Sequence, residues 1–561
     1  MPRRILILGG YGTFGGRLAR LLADEENLTL VIAGRSLERA REFCASLKSR
    51  GECAAVQLDR ETHIARELQL IGPEIVVDAS GPFQAYGDDP YQVVKACLAL
   101  GINYLDIADG SDFVKGVAQF DAEAKLRKVF VLSGASSFPV LTAAVMRQLT
   151  AGMQTVTSVA GGIAPSPYAG VGLNVIRSVA SYGGKPVKSG AAGEIMAGYG
   201  LLDTRRFVVR PPGQVPLPPI LFSLVDVPDL QVLPEVWPSL RDVWMGAGPV
   251  PEILHRVLNA TAWTVKAGIL PSLSPFASLM HRAINVLRWG EHRGGMIVAV
   301  AGTDAKGQAV ERSWHLLAEG DDGPFIPSMA CDAIIRNVLA DRAPTSGARS
   351  AIGDLEVADY EKLFAKRRIF TGRRQTKPAD ATAPLYQRML GEAWEAVPEP
   401  IKAMHDLRES RTVHGLAKVT RGESVLARLV AALFRFPEAG DAVPVEVTFQ
   451  VQNGEEVWER QFGGRSFKSL QREGTGRLEG LLEERFGVFA FGLALVVDGG
   501  LRFVPRRWSV LGLPLPTRLI PRGEAYESAD DGRFNFHVEI GLPLIGPIVG
   551  YEGWLEPADR N

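Results

Sequence analysis

The sequence predicts an α/β protein: a doubly wound parallel sheet first, an α+β region behind it, and a mostly antiparallel α+β region at the end. Two observations carry this. Short apolar runs alternate with amphipathic stretches at strand–helix–strand spacing through about residue 135, the signature of parallel strands joined by helical crossovers. Beyond residue 385 the pattern becomes a series of strand-like runs with one interrupting helix, which suggests a curved sheet or half-barrel around an apolar interior.

The elements follow in order. Arg4–Leu8, Leu28–Ala33, Ala54–Leu58, Ile75–Ala79, Tyr104–Ile107 and Val129–Leu132 read as strands. Leu18, Leu21 and Leu22 mark the first helix; Leu37–Leu47, Ile64–Leu70 and Tyr91–Leu100 are the next three, the last closed by Gly101, a natural helix C-terminal residue. A helix at Val140–Leu149 opens the second region. It continues through a Gly/Ala-rich stretch and a Pro-rich one, Pro211–Pro238, to two strands, Met296–Gly302 and Val310–Ala318, and a helix, Ser328–Leu339. The expected domains are 1–138, 139–364 and 385–557, with a basic, proline-containing linker at 365–384. In the last domain a helix at Tyr386–Leu407 and another at Ser424–Phe434 accompany strands at Thr412–Val419, Val445–Val451, Val457–Phe462, Val488–Val497 and Phe534–Ile540.

Composition narrows the function. The 561 residues allow three to four domains at ~150 residues each. A formal net charge of −1 supplies no global basic field, so nucleic acid is not an expected partner. Four scattered cysteines form neither a disulfide framework nor a metal-ligand spacing, which points to a cytoplasmic setting and no metal. No signal peptide and no run long enough to span a membrane is read.

The chemistry-bearing motif is Gly10-Tyr11-Gly12-Thr13-Phe14-Gly15, which lies between the first strand and the first helix. In that context Gly10 makes the tight turn, Gly12 lets the backbone approach a pyrophosphate, and Gly15 lets the helix pack on the strand. The helix start then presents free N–H groups and a positive dipole end. This is a Rossmann-type dinucleotide site. The second strand ends in Gly34-Arg35-Ser36, with no carboxylate for a ribose 2′-hydroxyl; an arginine there suits a 2′-phosphate, so NADP(H) is the expected cofactor. Asp59, after the third strand, is read either as an acceptor from the adenine amino group or as a cap. Ser80-Gly81-Pro82-Phe83, after the fourth, is placed under the ribose and nicotinamide. Hydride transfer asks the protein for orientation and one proton donor. The candidates are Tyr86, Asp109, Ser136 and Ser137, each, taken singly, more readily read as a loop cap than as a catalytic group.

These residues, with Val77-Asp78-Ala79 and Gly101-Ile102-Asn103-Tyr104-Leu105-Asp106, resemble the saccharopine dehydrogenase-like NADP-binding family. The resemblance implies a Rossmann domain followed by a substrate domain whose last helix, near Pro327–Leu339, returns to the Rossmann unit. The C-terminal part resembles a domain of unknown function found fused to such reductases. Related members include trans-acting enoyl reductases of lipid pathways, so the resemblance leaves the substrate open. The chain departs from true saccharopine enzymes in lacking a recognisable Arg/Lys set for a dicarboxylic amino acid and in carrying the extra domain. The resulting expectation is an NADP(H)-dependent oxidoreductase acting on C=O, C=N or C=C of an apolar, lipid-like small molecule. The alternative is a non-catalytic dinucleotide sensor or lipid- or protein-binding module. A homodimer is left open.

Overall fold

The computed structural model describes residues 2–190, 195–376 and 383–557. The chain forms two compact units, Met1–Phe207 with Ile220–Phe370, and Val208–Pro219 with Thr371–Asn561.

In the first unit the six predicted strands are all present: β1 (Arg3–Leu8), β2 (Leu28–Gly34), β3 (Glu52–Gln57), β4 (Ile75–Asp78), β5 (Asn103–Asp106) and β6 (Phe130–Ser133). They run parallel in the order β6-β5-β4-β1-β2-β3. Leu6, Ile7, Ile32, Val76, Val77, Leu105 and Val131 are almost fully buried, as a parallel sheet covered by helices on both faces requires. The strand order reverses between β1 and β4, and ligands of such sheets lie outside the carboxyl ends there.

A second sheet follows, built on β7 (Met153–Ala164). A small hairpin, β8 (Pro186–Ser189) and β9 (Ile195–Tyr199), stands apart from it. The other strands are β10 (Thr204–Phe207), β11 (Ile220–Leu224), β12 (Asp242–Ala247), β13 (Arg293–Asp304) and β14 (Ala309–Glu319). Helix Ile326–Leu339 then packs against α1 (Thr13–Leu22): Ser328 Oγ donates to the Phe14 carbonyl at 3.0 Å, and Arg336 reaches Asp24, Glu25 and the Leu21 carbonyl. The next strand, β15 (Gly347–Ser350), joins the first sheet beside β6.

The segment 365–384, expected as a linker, instead contributes β16 (Ile369–Thr376), the edge strand beside β14. Its lead residues Ile369, Phe370 and Thr371 favour extended structure. Just before it, the basic residues are paired, Arg367 with Asp322 at 2.7 Å and Arg368 with Glu319.

In the second unit the expected helix Tyr386–Leu407 is broken into Leu385–Leu390, a 3₁₀ segment Gly391–Ala396, and Glu399–His405. Gly391 sits at φ +55° and Pro398 precedes the last piece, and neither continues a helix. The strands that follow are β17 (Arg411–Arg421), β18 (Gly440–Gln452), β19 (Glu455–Phe462), β20 (Arg465–Glu473), β21 (Leu482–Phe486), β22 (Phe489–Val497), β23 (Leu501–Val510), the short β24 (Leu513–Pro514), β25 (Ala525–Asp530), β26 (Arg533–Leu542) and β27 (Gly546–Pro557).

Each strand pairs antiparallel with the next along the chain, β24 being a side branch on β23, and β27 pairs back onto β17. The curved sheet therefore closes into an up-and-down barrel of ten strands. On β18, Val445, Val447 and Phe449 are buried, while Glu446, Thr448 and Gln450 lie on the opposite face. That apolar-inside alternation is the reverse of a lipid-facing barrel. Among the described residues no helix is long and apolar enough to cross a membrane.

Candidate functional site

The glycine turn is built as the spacing demands. Gly9 adopts φ +70°, and a Cβ there would lie 2.7 Å from the Ala79 carbonyl oxygen. A Cβ on Gly15 would lie 2.4 Å from the Gly9 oxygen, so the start of α1 packs directly on the turn. A Cβ on Gly12 meets the Gly9 backbone and nothing else within 4 Å, so its outer side is open to a ligand. Gly12 is the N-cap residue of α1 and no side chain caps the helix amides. Thr13 and Phe14 form its first turn. An open glycine cradle with uncapped amides is the donor set a pyrophosphate needs.

At the end of β2, Tyr11 lies across Gly34. A Cβ on Gly34 would fall 2.5–2.7 Å from its ring, and the Ser36 amide donates to the Tyr11 hydroxyl at 3.0 Å. Ser36 Oγ caps α2 (Leu37–Ser46) by accepting from the Arg39 amide. Arg35 is exposed at the strand end. Arg39 stacks over the Tyr11 ring at 4.9 Å. The Arg39 guanidinium therefore stands beside the position where a carboxylate is absent, and Arg35 follows that position in the chain. Arg39 was not among the expected residues; its place in the first turn of α2 was the available signal. Asp59 accepts from the Glu61 amide at 3.1 Å and so closes a local turn.

At the end of β4 the structure gathers more than the sequence suggested. Asp78, fully buried, accepts from both the amide and the hydroxyl of Ser80. Ser80 Oγ and Tyr86 Oη are 2.9 Å apart, and Tyr86 Oη lies 3.4 Å from both Asp78 oxygens. The Arg60 guanidinium carbon lies over the Tyr86 ring, 3.2 Å from its centroid, with Nε 3.9 Å from Asp78. Its Nε and Nη1 are buried without a hydrogen-bond partner. Burial, then the Asp78 charge, raises the Tyr86 phenol well above its ordinary range. Phe83 packs on Tyr86 and Phe113 at 4.8 and 5.1 Å, while Gly81 accepts from Asn174 Nδ2 at 2.7 Å ahead of the cis bond to Pro82.

One strand over, Asp106 is also fully buried. Its Oδ1 accepts from the Ala108 and Gly134 amides and the Ser133 hydroxyl, and its Oδ2 has no partner. Burial, with a smaller push from the Asp78 charge, raises its carboxyl to about 7 against those three hydrogen bonds. Asp78 and Asp106 are register neighbours; a charged residue ending each of two apolar strands was the sequence signal for the pair.

Asp109 is half-buried and accepts from Gln84 Nε2 at 3.1 Å; the same nitrogen donates to Ser178. Burial raises its carboxyl. Ser136 is half-buried and Ser137 buried in the turn after β6, at the cis Phe138–Pro139 bond. Of the expected proton donors, the structure thus joins Tyr86 to Ser80, Asp78 and Arg60, and sets Asp109 with Gln84. No cluster of potential metal ligands occurs among the described residues.

Residues 5–130 match the saccharopine dehydrogenase NADP binding domain, and residues 397–555 match a domain of unknown function, DUF4166. A comparison with curated proteins returns no match. Among solved structures, apo saccharopine dehydrogenase (L-Glu forming) from Saccharomyces cerevisiae is similar at 12% identity and TM-score 0.44, over 67% of this chain and 100% of that one. A meso-dapdh mutant with DAP from Clostridium tetani is similar at 12% identity and TM-score 0.32, over 65% and 98%. The RhlG/NADP complex from Pseudomonas aeruginosa is similar at 16% identity and TM-score 0.21, over 26% and 76%. The chain thus carries a saccharopine dehydrogenase NADP binding domain at its N-terminus and DUF4166 at its C-terminus. The first indicates NADP(H) binding and supports an oxidoreductase.

Proposed function

We propose that this chain is an NADP(H)-dependent oxidoreductase that transfers hydride to or from C=O, C=N or C=C of an apolar small molecule. The observation that carries this reading is the end of β2, where Tyr11 fills the space above Gly34, Arg39 lies over the Tyr11 ring, and the exposed Arg35 follows Gly34 in the chain. Any acidic side chain at position 34 would collide with Tyr11. The site is thereby closed to the ribose-binding carboxylate of NAD enzymes and left cationic for a 2′-phosphate.

Gly10, Gly12, Gly15 and the first amides of α1 would hold the pyrophosphate, and Ser80 to Phe83 would line the ribose and nicotinamide. When bound, the cofactor's nicotinamide gives or takes the hydride. The chain's part is to orient and to manage one proton. Asp78 fixes the Ser80 hydroxyl, which fixes Tyr86 in turn, beneath the Arg60 guanidinium. Asp109, its carboxyl raised by burial, is a proton holder at the same carboxyl edge. Phe83, Tyr86 and Phe113 pack together into a buried apolar cluster behind this edge, an apolar underlayer that suits an apolar substrate.

The test is cofactor discrimination. A charge-assisted contact contributes about 1.5–3 kcal/mol, so Arg35→Ala should weaken NADPH at least roughly tenfold and leave NADH nearly unchanged in fluorescence titrations. Equal losses for both cofactors remove the 2′-phosphate assignment. Absorbance of the reduced cofactor is then followed against panels of apolar enones, imines and ketones. Turnover of at least one class is expected, and a protein that binds NADPH yet consumes none of them is a sensor instead.

A further inference from the structure

The barrel of the second unit has an interior of its own. Its side chains leave a cavity of about 470 Å³, a size typical of small-molecule sites. Phe449, Trp458, Phe491, Phe503, Phe536 and Tyr551 are among its walls. A packed core leaves no space of that size, and an apolar void is a standing cost to a fold unless something fills it.

The barrel's two ends differ. Turns joining β18 to β19, β22 to β23 and β25 to β26 all fall at one end, and they are polar: Asn453-Gly454, Asp498-Gly499-Gly500 and Asp531-Gly532. Helix Glu399–His405 reaches inward too, its Met404 lining the cavity and its His405 bonding Glu527 at 2.6 Å. The opposite end carries helix Val425–Leu433 and the turns β21–β22, β23–β25 and β26–β27. There Leu426, Leu429, Leu433, Val488, Leu511 and Leu544 are all exposed, Leu544 at 88%. The cavity therefore has an apolar mouth.

The polar groups inside specify what kind of head an apolar ligand can bring. Arg460 donates to Ser469 Oγ at 2.8 Å and to Glu484 Oε1 at 3.2 Å, and it stacks on Trp458. Ser469 and Gln471 donate to the same Glu484 oxygen, and Tyr386 donates to Gln471 at 2.7 Å. The interior cation is thus spent on Glu484, and Glu527 adds a second carboxylate bonded to His405. The other lining cation, Arg522, is exposed and shares the lining with Glu539. Among the described lining residues the buried cation, Arg460, is already paired, so a carboxylate or phosphate head meets only Arg522 at the exposed rim, whereas a hydroxyl finds the carboxylates of Glu484 and Glu527.

We propose that the barrel is a second ligand site, for a neutral long-chain molecule with a hydroxyl head, held with its chain among the aromatic walls and its head at Glu484. This site is independent of the dinucleotide-site reading, and neither depends on the other.

The test uses the full chain, Nile red as a neutral reporter of the cavity, and hexadecan-1-ol and palmitate as competitors. Hexadecan-1-ol should displace the dye at a concentration at least roughly tenfold below palmitate. Equal or stronger displacement by palmitate overturns the head assignment, and displacement by neither overturns the site. Glu484→Gln leaves Arg460 without its carboxylate partner, so the preference should shift roughly tenfold or more toward palmitate; an unchanged ratio counts against Glu484. Ala525→Trp puts bulk into the cavity wall and should abolish dye and alcohol binding while NADPH binding and the far-UV spectrum stay. Retained alcohol binding in that variant places the ligand elsewhere. If Glu484→Gln does not fold, the wild-type alcohol-to-palmitate ratio and Ala525→Trp still decide.

Discussion

Asp106 shows how one side chain can tie the cofactor edge to the stability of the whole first unit. It is buried with one satisfied oxygen and one without a partner, and its carboxyl is raised from 3.8 to about 7. The unfolded chain releases that proton near 3.8, so between about pH 4 and 7 the folded state binds more protons than the unfolded one. Stability therefore falls as pH rises through that window, by roughly 1.4 kcal/mol per unit for a single such group; below about 4 both states are protonated and the contribution is level. Asp229, also raised to about 7 by burial, adds to the same slope. Asp106→Asn keeps an acceptor for the Ala108, Ser133 and Gly134 donors but cannot ionise. Calorimetric Tm measured from pH 5 to 8 should show the Asn variant gaining on the wild-type protein as pH rises. A difference that stays constant with pH would mean that Asp106 ionises freely in the fold.

At the scale of elements, legibility followed periodicity. Strands β1 to β6 of the first sheet stand within two residues of their sequence reading, because apolar runs such as Leu6-Ile7-Leu8 and Val76-Val77 are buried on both faces and nothing polar interrupts them; β15, the seventh, was not read. The glycine turn was legible for the same reason: its spacing is dictated by contacts as short as Gly15 against Gly9. Strands β20 and β21, Arg465–Glu473 and Leu482–Phe486, escaped. Their inward positions hold Ser469, Gln471 and Glu484, so the polar cluster inside the barrel erases the alternation that marks a strand. The Arg60–Tyr86–Asp78 group escaped because it assembles from three separate loops and strands. Helix Ile326–Leu339 was legible as an element, but its ionic clamp on α1 was not. There Arg336 donates to Asp332 Oδ1 at 2.9 Å and to Asp24 at 2.6 Å, and also to Glu25, and Asp332 is itself fully buried. Removing the cation strands a buried carboxylate, which costs about 3–5 kcal/mol; burial has already raised Asp332 to about 6, so proton uptake holds the loss to the lower end. Arg336→Met should lower the urea midpoint of the first unfolding transition accordingly, and Asp332→Asn by less. The reverse ranking would show that Asp24 and Glu25 carry the clamp.

On the scale of the whole molecule, the chain joins a sheet that ends in an open carboxyl edge to a barrel whose closure is uneven. Strand β23 pairs with β22 along its length, from Phe489↔Val510 to Val497↔Leu501. On its other side it meets β25 only at Leu501↔Glu527 and Arg502↔Tyr526. Past that point the two strands separate, and β23 is next paired on that side only at its far end, where the short β24 folds back on it at Ser509↔Pro514 and Val510↔Leu513. Phe503, Pro505 and Trp508 on one side of this gap and Ala525 and Tyr526 on the other all line the cavity. A strand held on one side opens at lower free energy than one held on both. Hydrogen exchange resolved by peptide should therefore find the Phe503 to Trp508 stretch of β23 and the start of β25 exchanging well ahead of β17 and β18, which are paired on both sides along most of their length. Uniform protection around the barrel would mean that the wall opens only as a unit, and entry to the cavity would then have to come through the apolar mouth beside helix Val425–Leu433 rather than through the seam.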